Sequence, residues 1–295
     1  VENHTHALVL FSAPQIICFR MIEIPESQTV ARQIRETLAG RTITDVFNAT
    51  HPHKFTWYTG DPLEYPKLLT GRKIVGAEGC GAFIDVLLDD DIHLALSDGV
   101  ILRLYGTGDP IPAKYQLLLT LDDGRFLLLT VAMYGGINAF RGELDNPYYR
   151  GARTKCSPLE ERFDAGYFSR LRAAAKQNLS AKAFLATEQR IPGLGNGVLQ
   201  DILFRAGIHP KRKLVTLGDA DAQCLFATLK SVLREMTDRG GRDTEKDLFG
   251  TPGGYAVQLS RNTCAEPCPV CGGPIVKEAY LGGAVYYCPH CQPLK

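Results

Sequence analysis

The spacing of apolar residues divides the chain into a strand-rich first half and a helix-rich second half. After Ser27, apolar residues recur every four positions, which predicts a helix over residues 27–39 that Ser27 caps. Beyond residue 42 the pattern changes to short, β-rich apolar runs, at residues 82–88, 92–96, 99–105, 115–121 and 125–131. Short strands at this spacing favour an antiparallel β-sandwich or barrel with a flanking helix.

The second half carries helical patterns. A polar, turn-rich segment over residues 141–156 leads into it, and we interpret that segment as a linker. Asp164, Ser180 and Asn196 are suited to cap the first three of the predicted helices, which lie at residues 165–177, 181–187, 197–206 and 219–239. A glycine-rich connection then reaches two short strands, at residues 277–280 and 284–287. The whole pattern predicts an α+β fold: a β-sandwich, a helical domain and a terminal hairpin.

Four cysteines frame that hairpin as two C-x2-C pairs, Cys268 with Cys271 and Cys288 with Cys291. Such pairs bring four thiolates to the corners of a tetrahedron, which is the geometry of structural Zn²⁺. The segment has too little apolar sequence to fold unaided, so the metal would supply about 10–16 kcal/mol of folding free energy. Disulfides or unrelated thiols explain two matched pairs poorly. We therefore predict one structural Zn²⁺, with Cys264 outside its ligand set.

The charge is distributed unevenly along the chain. Residues 1–149 carry 12 Lys and Arg against 18 Asp and Glu, whereas residues 150–295 carry 21 against 14. A basic second half is compatible with a polyanionic partner, and an uneven solvated surface explains it equally well. No run of about 18 apolar residues is present, so the sequence predicts no membrane span.

The cysteines outside the metal set favour a reducing compartment. Five of the nine cysteines, at positions 18, 80, 156, 224 and 264, have no obvious pairing, which fits the cytoplasm better than a disulfide framework. Residues 1–20 lack the basic start and clear cleavage site of a secretory signal. Because Met21 directly precedes the first strongly patterned segment, we interpret residues 1–20 as an upstream extension or an added sequence.

A glycine-containing turn, Ile191-Pro-Gly-Leu-Gly-Asn196, joins two predicted helices. Gly193 and Gly195 allow a tight turn with exposed amides, and Asn196 adds a side-chain donor at the positive end of the next helix, a place suited to a phosphate. Alone, the motif would be explained better as a simple interhelical turn. The run Asp201-Ile-Leu-Phe-Arg-Ala-Gly-Ile-His-Pro, followed by Lys211, Arg212 and Lys213, shifts the interpretation towards nucleic acid.

These segments resemble the formamidopyrimidine-DNA glycosylase and endonuclease VIII family of base-excision repair enzymes. Residues 185–210 are similar to its helix-two-turn-helix, Met21-Ile-Glu-Ile-Pro-Glu26 to its N-terminal signature, residues 157–164 to the entry of its helical domain, and residues 266–292 to its zinc finger. The resemblance implies four segments. They are an extension (1–20), a β-sandwich glycosylase-like domain (21–142), a helix-two-turn-helix DNA-binding domain (150–250) and a zinc finger (262–295).

Family enzymes bind duplex DNA in the cleft between two domains and turn the damaged nucleotide out of the stack. Their N-terminal proline amine attacks C1′ of the sugar, and a neighbouring glutamate acts as acid and base. By resemblance, Glu23 is that glutamate and Glu26 the second acid of the signature. The implied DNA-binding residues are Lys182, Gly193, Gly195, Asn196, Lys211 and Arg212. The resemblance also implies a monomer that binds damaged double-stranded DNA in the cytoplasm, at the nucleoid and not at a membrane.

The sequence departs from the family pattern at the reacting centre. Ile22 stands at the proline position, Ala82 at the position of a hairpin lysine and Gly283 at that of a zinc-finger arginine. Residues 133–138 contain no clear counterpart of the Arg- and Phe-bearing intercalation loop, and Asp201 stands where the family usually has glutamate. We therefore expect altered chemistry, with the standard lyase route absent.

Three hypotheses follow. In the first, Glu23 activates water to release a damaged base, or another amine such as Lys54 or a group in the Cys80 loop replaces the proline. In the second, the protein binds damaged DNA without cutting it. In the third, the cleft serves a small ligand or a partner. The alternative role for Glu23 is to complement a helix that begins near Ser27. Trp57 and Tyr58 could stack on a base, although burial at the domain edge explains them more simply.

Overall fold

The computed structural model describes residues 21–295, so the predicted extension over residues 1–20 lies outside the described residues. The first part of the fold contains α1 (Ile24–Leu38), β1 (Ile43–Asn48), β2 (Thr56–Tyr58), α2 (Tyr65–Leu69), β3 (Ile74–Cys80), β4 (Phe83–Leu88), β5 (Ile92–Tyr105), β6 (Leu117–Leu121) and β7 (Phe126–Arg141). The helical part contains α3 (Pro147–Thr154), α4 (Ala165–Ala174), α5 (Ala181–Ala186), α6 (Asn196–Arg205) and α7 (Asp219–Asp238). The terminal hairpin is β8 (Val276–Tyr280) and β9 (Gly283–Tyr287).

The strands β1 to β7 form one sheet in the order β1-β6-β7-β5-β4-β3, with β2 paired to β7. The neighbours along this path are antiparallel, as predicted, whereas β2 runs parallel to residues 135–137 of β7. The long strands β5 and β7 pair along their whole length and connect β1 and β6 on one side with β3 and β4 on the other. Apolar residues from strands on both sides and from α1 form a shared core.

β5 is one strand, although two were predicted. Asp98-Gly99 resembles a strand break in the sequence, but Asp98 adopts a φ of 58° and the register shifts there without ending the pairing. Such a bulge bends the strand and re-aims its side chains. β7 likewise continues to Arg141, well beyond the predicted end of the strand. The prediction ended too early because Gly135 and Gly136 hide the strand alternation in the sequence, although they do not interrupt the strand.

Helix α1 begins three residues earlier than predicted. Ile24 is its first residue and Pro25 lies in its first turn, a position that proline favours. Ser27 is therefore not the cap. Its hydroxyl donates to the carbonyl of Ile24 at 3.0 Å and to that of Gly81 at 2.7 Å. The predicted apolar face of the helix is confirmed, since its residues are buried in the sheet core.

The helical domain has its own core, which α4 to α7 share with Ile24 from the N-terminal segment. The predicted caps are confirmed at Asp164 and Ser180, whose side chains accept hydrogen bonds from the backbone of α4 and α5. The predicted linker instead contains α3. The sequence does contain a helix-start signal here, since Asn146 caps α3 and the next residue, Pro147, begins the helix.

The terminal hairpin packs on α6 through a small cluster that includes Phe204, Leu259 and Tyr286. The fold class predicted from the sequence is therefore confirmed in its three parts: an antiparallel sheet with a flanking helix, a helical unit and a hairpin carrying four cysteines. Among residues 21–295, no helix combines the length and the apolar character needed to cross a membrane.

Candidate functional site

The four hairpin cysteines converge as a metal site. Their sulfur atoms lie within 4.8 Å of one another, with 3.8 Å between Cys268 and Cys291 and 3.5 Å between Cys271 and Cys288. Tetrahedral zinc with Zn–S bonds of about 2.3 Å separates its sulfurs by about 3.8 Å, so the cluster fits Zn²⁺. Four thiolates leave no open coordination position, which is typical of a structural site. Cys264 stays outside the set, and its thiol faces the carbonyl of Arg261.

Glu23 caps a helix of the other domain. Its Oε1 accepts a hydrogen bond from the amide of Gly197 at 2.8 Å and its Oε2 one from the amide of Val198 at 2.9 Å, both in the first turn of α6. Gly195 makes this approach possible, because a Cβ there would lie 2.7 Å from the Glu23 carboxyl carbon. The carboxylate thus complements the positive end of α6. Glu23 is also the N-cap residue of α1, in a capping box with Glu26, so it lies at the start of the helix that we considered from the sequence as well.

Arg242 joins Glu23 and Glu26 in one buried cluster. Its Nε and Nη2 donate to the two Glu26 oxygens at 3.0 and 2.8 Å, and its Nη1 lies 3.6 Å from Oε1 of Glu23. Its Nη2 also reaches the carbonyl of Met21 at 3.4 Å. The sequence analysis missed this arginine, since nothing near Arg242 marks it except the preceding glycine pair. One guanidinium here serves two carboxylates.

The ionisation of this cluster follows from its burial. Burial raises the pKa of Glu23, and Arg242 and the α6 amides offset only part of that shift. Burial also opposes the charge of Arg242, but Glu23 and Glu26 outweigh it and raise the pKa of the guanidinium. Arg242 therefore stays charged, while Glu23 is easier to protonate than an exposed glutamate.

The position that resembles the family nucleophile holds no reactive side chain. Ile22 is 7% exposed and its backbone nitrogen donates to the carbonyl of Asp98 at 2.7 Å. Asp98 accepts a hydrogen bond from the Ser97 hydroxyl at 2.9 Å, and burial raises the pKa of its carboxyl group. The sequence analysis did not single out Asp98, whose position beside Ile22 depends on the β5 bulge.

The two predicted substitutes for the nucleophile, Cys80 and Lys54, have different surroundings. Burial raises the pKa of Cys80 to about 11, although Arg153 opposes the shift, so Cys80 is a thiol at neutral pH. The ammonium of Lys54 lies 5.4 Å from the centre of the Phe55 ring. Trp57 is 53% exposed, so burial at the domain edge was the wrong interpretation for it, whereas Tyr58 packs against the sheet core beside Tyr65.

The glycine-containing turn lies between the β-domain and the zinc hairpin. Gly193 has a φ of 77° and accepts a hydrogen bond from the amide of Ile24. A Cβ on Gly193 would collide with the backbone of Gly81, so only glycine allows this contact. Asn196 is exposed, and its amide group donates to the carbonyl of Ala284 at 2.9 Å. The prediction that Asn196 caps α6 is wrong, because Asn196 belongs to the first turn and Gly195 occupies the cap position.

The predicted basic cluster makes contacts within the chain. Lys182 is 3% exposed and donates to the carbonyl of Tyr280 at 2.5 Å. Lys211 pairs with Glu278 at 2.7 Å. Arg212 is 6% exposed and bonds Asp221 at 2.5 Å. Lys182 and Lys211 thus hold the zinc hairpin, and Arg212 holds α7. Lys182 and Arg212 are buried in these contacts, and the DNA contacts expected of them stay predictions.

Asp201 fastens the segment between α7 and the hairpin. It is fully buried and accepts hydrogen bonds from the Tyr255 hydroxyl at 3.0 Å and from the amides of Gln258 and Leu259, both at 2.9 Å. Burial raises the pKa of Asp201, and these donors oppose the shift. The residue thus positions the connection that carries Arg242.

A second buried polar cluster joins the sheet to α3. Asp85 is fully buried and accepts hydrogen bonds from the Tyr149 hydroxyl at 2.5 Å and from Arg153 at 2.9 Å. His93, which no motif marks in the sequence, lies 3.1 Å from the same carboxylate. This hydrogen bond with Asp85 raises the pKa of His93, while burial opposes the shift.

Comparison with known proteins finds three matching family models. The N-terminal domain of formamidopyrimidine-DNA glycosylase matches residues 21–110, the H2TH domain of formamidopyrimidine-DNA glycosylase matches residues 156–247, and the zinc finger found in FPG and IleRS matches residues 265–294. The zinc-finger match agrees with the four converging thiols, so the prediction of a structural Zn²⁺ is confirmed.

Similarity extends over most of the chain. It is 31% identical over 281 residues to the formamidopyrimidine-DNA glycosylase of Nitrosococcus oceani, which takes in 92% of this chain and 100% of that protein. The crystal structure of the MutM (Fpg) protein from Thermus thermophilus matches with a TM-score of 0.76 at 26% identity, covering 92% of this chain and 99% of that one. A complex of Lactococcus lactis Fpg (MutM) with DNA containing N7-benzyl-Fapy-dG matches with a TM-score of 0.78 at 25% identity and the same coverage.

Proposed function

Because the chain belongs to the formamidopyrimidine-DNA glycosylase family, we propose that it is a DNA repair protein that binds damaged duplex DNA as a monomer. We further propose that it releases the damaged base without an N-terminal proline. The observation that carries the second part is the position of Glu23. Its buried carboxylate is fixed by the amides of α6 directly beside Ile22, which offers no nucleophile.

Glu23 is suited to act on water. Each of its oxygens accepts one amide hydrogen bond, which leaves a second lone pair on each for a proton. As Glu23 takes a proton from water, the water oxygen bonds to C1′ of the sugar, and the bond between C1′ and the base breaks with its electrons leaving on the base. Burial raises the pKa of Glu23 and brings it closer to the working pH, where a general base is most effective.

The borohydride experiment separates this route from the Schiff-base route. Duplexes that carry an abasic site, an oxidised purine or an oxidised pyrimidine are incubated with the protein, with and without borohydride. We expect base release without a trapped adduct. A covalent adduct mapped to Met21, Ile22 or Lys54 would contradict the water route.

The variant Glu23→Gln tests the assignment of the carboxylate. We expect it to abolish base release while duplex binding persists, because Gln keeps the shape and an accepting oxygen but cannot take the proton. Thermal unfolding is measured alongside as a control for the capping role. Full activity in a folded Glu23→Gln protein would leave Glu23 as a helix cap only.

A catalytically silent reader of damaged DNA is the second candidate function. The contacts of Glu23 favour it, since both oxygens are already bonded and Arg242 lies 3.6 Å away. Tight, lesion-selective binding with no base release from any of the three duplexes would support this candidate.

The interface proposed for DNA centres on Asn196. Both Asn196 and the buried Gln200 donate to the carbonyl of Ala284, but only Asn196 is exposed. Asn196→Ala should therefore weaken binding to all sequences alike, whereas Gln200→Ala changes only the attachment of the hairpin. Equal losses in the two variants would mean that Asn196 acts through the hairpin and not through DNA.

A further inference from the structure

An exposed aromatic surface lies on the β-domain, and the function proposed above does not use it. Phe55 is 50% exposed and Trp57 is 53% exposed, and the ring of Tyr134 lies 5.7 Å from that of Trp57 at 53°. We call Phe55, Trp57 and Tyr134 the aromatic patch. The ammonium of Lys54 lies over the Phe55 ring at 5.4 Å, and His53 contacts the same ring edge-on at 6.4 Å. The patch therefore combines π-faces with the ammonium of Lys54 and the imidazole of His53.

The strand register places the patch beside the N-terminal segment. The amide of Gly135 on β7 donates to the carbonyl of Phe55 at 3.0 Å, and Gly135 pairs with Asp98 on β5. The carbonyl of Asp98 in turn accepts the hydrogen bond of Ile22. Neighbouring strands are about 4.8 Å apart, so three such steps separate the patch from Ile22 by about 15 Å. A DNA strand rises about 3.4 Å per nucleotide, so this distance corresponds to about four nucleotides.

Solvent-exposed aromatic side chains next to cations are the groups that bind the bases of unpaired or distorted nucleic acid. Stacking tolerates every base, because each one has a π-face, and a cation beside the ring attracts the phosphate backbone. The net charge of the first half is negative, yet Lys54 and His53 lie at this patch. Lys54 thus offers a cation to a polyanion at the Phe55 end of the patch, whereas the carboxyl group of Asp98 acts on Tyr134 at its other end.

We propose that Trp57, supported by Phe55 and Tyr134, stacks on a base of the bound DNA about four nucleotides from the site at Glu23. This inference rests on the proposed DNA-binding function and adds the residues that hold the strand beyond the reacting nucleotide. Lys54 has the role of a backbone contact here and not that of an amine nucleophile.

Trp57 allows a direct test, because it is the only tryptophan in the chain. Its fluorescence is followed while the whole protein is titrated with duplexes containing an abasic site or a short unpaired stretch, and binding is followed in parallel by the anisotropy of labelled DNA. We expect fluorescence quenching that saturates at the same DNA concentration as the anisotropy.

Two variants and one control give the size of the effect. Trp57→Ala should weaken binding by about tenfold or more, the range of one base-stacking contact, whereas Trp57→Phe should retain most of the affinity. Phe47→Ala is the matched control, since Phe47 is 47% exposed on the edge strand β1 and does not belong to the aromatic patch. It should leave the affinity unchanged. Thermal unfolding verifies that each variant is folded.

Three outcomes overturn the inference. Anisotropy that reports binding while Trp57 fluorescence stays constant removes the stacking contact and leaves the proposed function intact. Equal losses in Trp57→Ala and Phe47→Ala show a nonspecific effect. Fluorescence and sedimentation that change with protein concentration in the absence of DNA show that a second copy of the chain covers the patch. If the wild-type protein binds none of the duplexes, the proposed function fails together with this inference.

Discussion

At the residue scale, two glycines allow the β-domain and the helical domain to pack closely, because neither glycine has a side chain that would keep them apart. Gly193 lets the turn before α6 touch the β3–β4 hairpin, and Gly195 lets the Glu23 carboxylate reach the amides of α6. The sequence analysis assigned both glycines to a phosphate-binding turn. That assignment stays a prediction, and the amides of Gly197 and Val198, just after the turn, donate to Glu23, so an anion of the protein itself already lies at the positive end of α6.

Gly195→Ala should destabilise the protein. The added Cβ would lie 2.7 Å from the Glu23 carboxyl carbon, and displacing that group removes the cap of α6. Overpacking of this kind costs about 1–3 kcal/mol in the free energy of unfolding, measured by urea denaturation. Gly218→Ala is the control, because Gly218 also precedes a helix but has no neighbour within 4 Å of the position that the added methyl group would take. Equal stabilities of the two variants would contradict the contact with Glu23.

His93 should make stability depend on pH in a defined window. Its pKa is raised in the folded state by the hydrogen bond with Asp85, so its contribution is complete below the unfolded pKa of about 6.5 and is lost as pH rises through the higher folded value. Asp85, Asp91 and Arg153 are the charged groups around it. The stability difference between wild type and His93→Gln, followed by thermal unfolding, should therefore shrink as pH increases above 6.5. A stability difference that grows as pH increases would contradict a raised pKa of His93 in the folded protein.

At the element scale, the sequence predicted those features that are determined by neighbouring residues. The apolar face of α1, the helix α7, the caps at Asp164 and Ser180 and the two C-x2-C pairs are each specified by residues close together in the sequence, and the structure confirms them. The errors have a common cause. The bulge at Asp98 and the extension of β7 through Gly135 and Gly136 depend on partners distant in the chain. The burial of Lys182 and Arg212, which the sequence does not indicate, depends on distant partners in the same way.

Removal of zinc should unfold the terminal hairpin and leave the helical core folded. The hairpin buries few apolar side chains of its own, whereas α4 to α7 share a separate core. A chelator, or Cys288→Ser, should therefore abolish the ordered hairpin and lower DNA affinity, measured by hydrogen exchange and anisotropy. Cys264→Ser is the matched control and should retain one zinc per chain, because that thiol lies outside the cluster. A hairpin that stays protected without metal would contradict this role.

At the scale of the whole molecule, the N-terminal segment and the connection after α7 hold the two large parts together. Arg242 bonds Glu26 and the Met21 carbonyl, Gln33 bonds Asp247 at 2.8 Å, and Ile24 packs in the helical core. None of these pairs could be read from the sequence, because the partners are more than 200 positions apart or carry no motif. Family resemblance alone located Glu23 and Glu26; the arginine between them is visible only in the structure.

Arg242→Met should be among the most destabilising single changes. It preserves most of the volume but leaves the carboxylates of Glu23 and Glu26 buried without their cation, which costs about 3–5 kcal/mol. Because the folded-state pKa of Glu23 is already raised, the loss should increase as pH rises above the unfolded value of about 4.5. Denaturation from pH 4 to 8 measures this. The double variant Arg242→Met with Glu26→Gln should recover part of the lost stability. If it recovers none, the loss in Arg242→Met does not come from carboxylates left without their cation.

The distance along the chain between Glu23 and its partners has a consequence for synthesis. The ribosome makes Glu23 and Glu26 near the beginning of the described chain, but the α6 amides follow 174 and 175 residues later and Arg242 follows Glu26 by 216. At a translation rate of about 5–20 residues per second, the hydrogen-bond partners of Glu23 and Glu26 are synthesised roughly ten seconds or more after the two acids. During that interval the nascent β-domain carries them exposed to water, and its final closure begins only when the connection after α7 leaves the ribosome.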